Sequence, residues 1–484
     1  MRRDRRFHAR RSRRTPRARR AQRARPIRRA ILLAAVLAAG LCAFAGPAAA
    51  HGGGARFDAP IPLPYLYLGA GATVAVTAGY LAYADTDSPD SRSRPPGIVV
   101  ARLSDRTGTL VRRAARVAFF LLFVTTIAAG LLGRQAVTNF SVVFTWAVWL
   151  KGLALASMLV GSPWTALSPW RTLYRATCAV EGRALSVVEY PSRLGAWPAL
   201  LWFCLAVGIV ENLTVIPREP TLTAALLVGY AAVMYAGGLL FGPTWFRDAD
   251  LFEVLYRLLG RVAPLGVERP PGDGYRVVAR APWRECTRPI RDPARVAFVV
   301  AMVYTVSFDG FAETLSYQSV LFAVRELTGA GASVSVPIYL LGFGLFLAAF
   351  ALVVVATATV GLSSSPRAAA TVVAPTVLPI AAAYEFAHNY AYVVRGFGRL
   401  VTTVAGWFDV ALAVEPLAWL PIAAFWGTQV VVIVGGHVLA VVAAHGVIAA
   451  RTDRRTATVP HLPLTALMVG YTVLSLWVVS RPVA

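Results

Sequence analysis

The run at 370–394, ATVVAPTVLPIAAAYEFAHNYAYVV, decides the fold. It is apolar for long enough to cross a bilayer as a helix, and within it the segment AAAYEFAHN carries Glu385 and His388. An ionisable side chain at that depth costs on the order of several kcal/mol unless it meets a partner or a water-filled cavity, so such groups mark function. Positions i and i+3 share a helix face, so Glu385 and His388 point the same way.

Nine more apolar stretches surround this one, at 62–84, 117–133, 140–161, 196–217, 221–242, 296–308, 336–362, 418–449 and 464–480. With 57% hydrophobic residues, 15% charged residues and a mean hydropathy of +0.59, the chain reads as an all-α, polytopic membrane bundle of about ten transmembrane helices. That composition excludes a soluble enzyme. The net charge of +24 does not indicate a nucleic-acid partner, because residues 1–29 hold fifteen Arg and one Asp and so carry +14 of it. Lys151 is the one lysine, and no GxxxxGK precedes it, which excludes a Walker A phosphate loop. The four cysteines form no CxxC pair and no HExxH is present, so neither a disulfide framework nor a structural zinc is expected.

Residues 1–50 read as an Arg-rich leader and secretory signal, with an apolar region and a small-residue cleavage site ending at Ala50. The same segment could remain as an uncleaved anchor. Cleavage would make His51 the first residue, and a free amine beside an imidazole can chelate a transition metal. The rest, 51–484, forms a single transmembrane domain. Arginines set its orientation: the connections that would be cytoplasmic hold 25 of them against seven on the other side, so both mature termini are expected outside the cell membrane.

The largest cytoplasmic connection, 244–295, begins with the periodic segment 251–259, which reads as a short amphipathic helix lying on the membrane surface. A Pro270-Pro271 turn and strand-like residues follow. The repeated Ser-Pro-Trp at Ser162 and Ser168 reads as an interfacial aromatic anchor.

Depth then sorts the polar groups. Glu211 with Asn212, Asp309, Glu385, His388, Asn139 and Gln429 all fall in the outer half of their spans, which points to a shared outward-facing cavity. Gly310 is placed to break the sixth span and let the chain re-enter toward Glu313. Lys151, near the middle of its span, must pair with a carboxylate or lose its proton. His437 and His445 lie about 12 Å apart along one face, too far to share a metal ion.

Ser307-Phe-Asp-Gly-Phe311, Ser168-Pro-Trp-Arg171, Ala387-His388, Gly436-His437, Ala444-His445 and the His51 that follows the signal together make the chain resemble a family of prokaryotic membrane proteins commonly labelled fenitrothion hydrolase. Family members tend to carry Asn where Ser168 stands and Asp where Gly446 stands. The resemblance implies an organophosphate-type ester hydrolase. Its catalytic candidates would be Asp309, Glu385, His388 and Glu211. His51, His388 and His437 are candidate ligands for a divalent transition metal. The alternative is a transporter that moves protons, metal ions or a small solute through the same groups. Expected partners are the lipid bilayer and a small apolar ester or ion.

Overall fold

The computed structural model describes residues 62–84, 97–272, 274–451 and 458–480. The leader, its cleavage site and His51 lie outside the described residues. Ten helices coincide with the ten apolar stretches: α1 (Leu63–Ala84), α2 (Asp105–Leu132), α3 (Phe140–Val160), α5 (Trp197–Glu211), α6 (Pro220–Phe241), α8 (Pro293–Ala312), α10 (Ser335–Thr359), α11 (Pro366–Gly406), α12 (Ile422–Ala449) and α13 (Thr458–Val479). The longer of the helices between them are α4 (Pro169–Val180), α7 (Leu251–Leu259) and α9 (Leu315–Thr328). Eight of the ten are long and apolar enough to cross a membrane; α1 and the shorter α5 are not among those eight.

Contacts between the helix ends show that α1 and α5 traverse the bundle as well. Strand β1 (Ile98–Leu103) pairs antiparallel with β3 (Tyr275–Ala279), which also pairs with β2 (Leu265–Glu268), in the order β1-β3-β2. The sheet ties the start of α2 to the segment after α7. An even number of traverses must therefore separate the two, and α2, α3, α5 and α6 supply four only if α5 is counted. The opposite face is tied by Tyr67 with Ser480, joining the start of α1 to the end of α13, and by Thr403 Oγ1 donating to Thr138 O at 3.2 Å. On the sheet face, Ile290 N donates to Thr371 O at 2.8 Å. Every traverse alternates consistently between these two faces.

Local chemistry fixes the helix starts. Asn139 Oδ1 accepts from Ser141 N at 2.7 Å to begin α3, and Asp292 Oδ1 accepts from Ala294 N at 2.9 Å to begin α8, with Pro293 in the first turn. Between α11 and α12 the backbones nearly touch. A Cβ on Gly436 would lie 2.2 Å from Ala383 Cβ and 2.7 Å from Pro379 O, so only glycine permits that approach.

Three expectations are corrected. Segment 251–259 is helical but does not lie on the surface: eight of its nine residues are buried, all but Arg257. Its charged face is covered as well, because Glu253 lies 3.4 Å from Arg171 Nη2 of α4 and 3.5 Å from Arg257, so the helix packs inside the protein rather than at an interface. Gly310 does not break α8, which continues to Ala312. That glycine instead allows close packing, since a Cβ there would lie 2.9 Å from Val478 Cγ1 and 3.2 Å from the Tyr384 hydroxyl. The Ser-Pro-Trp indoles are fully buried, and Trp164 Nε1 and Trp170 Nε1 each donate to Asp250 Oδ2 at 2.8 Å. Tyr230 OH donates to the other carboxylate oxygen at 3.0 Å, and Phe252 N donates to it at 3.1 Å, so one carboxylate ties two connections, a spanning helix and the start of α7 together. Burial pushes the Asp250 carboxyl up to about 6, against the two indole donors that pull it down.

Candidate functional site

Lys151 and Glu211 both stand on π-helical segments, Val143–Gly152 within α3 and Cys204–Glu211 within α5. The wider i→i+5 turn changes which way side chains point and frees backbone carbonyls, a device common at functional sites. Here Tyr256 of α7 takes up the freed groups, its hydroxyl lying 3.0 Å from Trp149 O and 3.1 Å from Leu150 O. Asn212 Nδ2 donates to Val207 O at 2.9 Å at the end of the second π segment.

The π turns aim Lys151 at two acids from different helices. Its ammonium lies 3.3 Å from Glu211 Oε1 and 3.4 Å from Glu385 Oε1. One turn along α11, His388 Nε2 lies 3.2 Å from Asp309 Oδ2 of α8. Glu385 and His388 thus face the same way and engage two adjacent pairs, so the chain of groups runs Glu211, Lys151, Glu385, then His388 with Asp309. Lys151, 6% exposed, is the most enclosed member, with Glu211 at 13% and Glu385, His388 and Asp309 at 18–20%. Glu211 Oε2 and the Tyr384 hydroxyl, both buried, have no hydrogen-bond partner among the described residues.

A cavity lined by Lys151, Glu385, Asp309 and Asn212 lies against this chain, with Leu255 and Leu259 of α7 on its lining. Its volume of about 20 Å³ holds roughly one water. The trio of one ammonium and two carboxylates carries a net negative charge unless it also holds one proton. An arrangement of this kind, with a water beside it, can accept and release a proton.

Of the residues singled out in the sequence, Glu211, Asp309, Glu385 and His388 come together. Lys151, set apart there for its depth, is the group that joins two of the acids. The signal was present, since a lone buried lysine needs a carboxylate and the carboxylates at hand were those of the neighbouring spans. His437 stands elsewhere, with Nδ1 donating to Ile433 O at 2.8 Å and its ring 5.8 Å from that of Tyr471. Among the described residues no three His, Cys, Asp or Glu side chains converge to hold a metal ion. His388 already faces Asp309, so the metal-ligand expectation for His388 and His437 gains no third ligand from the structure.

Together these features define a helical membrane protein with a charged cluster inside its bundle. No family model, curated protein or solved structure matches the chain.

Proposed function

We propose that this protein moves protons across the cell membrane, alone or coupled to a small solute, with Lys151, Glu211 and Glu385 as the exchange site and His388–Asp309 as its connection to the outer surface. The observation that carries this reading is one ammonium shared by two carboxylates from different helices within an apolar bundle. Such a trio is neutral only with a bound proton, so loading and unloading that proton changes its charge and the balance among the three helices that hold it. Exit toward the sheet face requires passage past α7, which supplies Leu255 and Leu259 to the cavity. The orientation, with both mature termini outside, follows from the arginine excess on the sheet-side connections.

The Asp309–His388 pair favours a second reading, an ester hydrolase of the kind the sequence resemblance implies, because a carboxylate-oriented imidazole can act as a general base toward water. The cavity's size favours the transport reading. Pockets for small organic ligands run to about 300 Å³ or more, whereas this cavity has room for roughly one water.

Purified protein in liposomes carrying an internal pH-sensitive dye tests both readings. Wild type should relax an imposed pH gradient faster than empty liposomes, and Lys151→Met should not. A lipophilic phosphotriester offered to the same vesicles should remain intact. Triester cleavage that His388→Asn abolishes, without proton flux, would replace the transport reading with the hydrolase one.

A further inference from the structure

On the sheet face, away from the charged cluster, four arginines meet with too few acids. Arg112 and Arg116 are one turn apart on one face of α2, and Arg171 and Arg175 are one turn apart on one face of α4, which packs against α2. Arg171 Nη2 lies 3.4 Å from Glu253, and Glu253 also serves Arg257 at 3.5 Å, so this carboxylate is already shared. Arg112 lies over the Tyr275 ring at 6.0 Å, and Arg175 Nη2 donates to Thr165 O at 3.5 Å.

What remains is unpaired. Among the described residues, Arg116 Nε, Arg171 Nε and Arg175 Nη1 are buried N–H groups with no acceptor. Native proteins rarely leave such groups unsatisfied, and a buried guanidinium with no counter-charge is costlier still. The electrostatics agree: burial, then the charges of Arg116, Arg171 and Arg112, push the Arg175 guanidinium down to about 10. An anion with several acceptor oxygens supplies the kind of acceptor these donors lack, and guanidinium groups match phosphate in charge and in fork geometry.

The geometry points to a binding site for the phosphate group of an anionic lipid, formed by Arg112, Arg116, Arg171 and Arg175 between α2 and α4. The lipid source follows from the location. Only 22% of the apolar window of α2 is buried within the bundle, so most of this helix faces outward along the membrane, and the cluster stands near its sheet-face end, the level of a head group.

The test compares melting temperatures, read by tryptophan fluorescence, in nanodiscs of phosphatidylcholine with and without phosphatidylglycerol. The anionic lipid should raise the melting temperature of wild type. Arg116→Gln/Arg175→Gln should lose more than half of that increment, while Arg113→Gln, on the exposed side of α2, should keep it. An equal increment in the double variant would overturn the site, and an equal increment from inorganic phosphate in pure phosphatidylcholine discs would overturn the lipid source. If the double variant does not fold, native mass spectrometry of wild type and Arg175→Lys decides: wild type should retain phosphatidylglycerol and the lysine variant less of it. Retention independent of head group, or equal in the two proteins, would refute the proposal.

Discussion

Sharing of one ammonium by two acids predicts a specific pattern of stability. With Glu211→Gln alone, Lys151 keeps Glu385; with Glu385→Gln alone, it keeps Glu211. Each single variant should therefore lose no more than about 1 kcal/mol. With both replaced, a buried lysine has no counter-charge, and breaking a buried ion pair in this one-sided way costs about 3–5 kcal/mol. Adding Lys151→Met to the double variant removes the stranded charge and should recover most of the loss. Unfolding entropy of about 2 cal/mol/K per residue makes 1 kcal/mol worth roughly 1 °C in a chain of this length. In detergent or nanodiscs the single variants should melt within about 1 °C of wild type and the double variant about 3–5 °C lower, with the triple variant between. The reasoning fails if the two single losses simply add to that of the double variant, because additivity means Lys151 does not couple the acids.

The Asp250 knot predicts a pH effect. Its folded value of about 6 lies above the ordinary 3.8, so protonation favours the folded state, and this contribution is complete below 3.8 and lost as pH rises through 6. Acidification from pH 7 to 4 should therefore stabilise wild type by about 2 kcal/mol relative to Asp250→Asn, followed by parallel pH–melting curves. Three glycines form a graded packing series. A Cβ at Gly436 meets Ala383 Cβ at 2.2 Å and Pro379 O at 2.7 Å, one at Gly310 meets Val478 Cγ1 at 2.9 Å, and one at Gly446 meets only Thr287 Cγ2 at 3.7 Å. Alanine should destabilise by about 3 kcal/mol at Gly436 and about 1 kcal/mol at Gly310. At Gly446 it should be neutral or stabilise by up to about 1 kcal/mol through helix propensity. Melting temperatures that do not follow this order would contradict the close packing at Gly436 and Gly310.

The helical bundle was legible because apolar runs of spanning length constrain a chain strongly, and all ten stretches are helical. The charged cluster was partly legible. Depth along a span can be counted from sequence, which grouped Glu211, Asp309, Glu385 and His388. Direction around a helix cannot be counted across a π segment, because each wide turn rotates the residues beyond it, and Lys151 stands within such a segment. The fate of 251–259 was not legible because the partner of its charged face, Arg171, lies some 80 residues away in sequence, and with Glu253 paired there Val254 and Tyr256 are buried as well. The Ser-Pro-Trp pair looked interfacial because a tryptophan near a span end usually is; the carboxylate that claims both indoles lies some 80 residues away in sequence, at Asp250.

The most direct measurement is proton flux through Glu385→Gln in dye-loaded liposomes, paired with its melting temperature. Glu211 still neutralises Lys151 in this variant, so it should melt within about 1 °C of wild type while losing at least roughly tenfold of the flux, because the carboxylate linking Lys151 to the His388 end of the chain is gone. Wild-type flux in a folded Glu385→Gln protein would contradict the account.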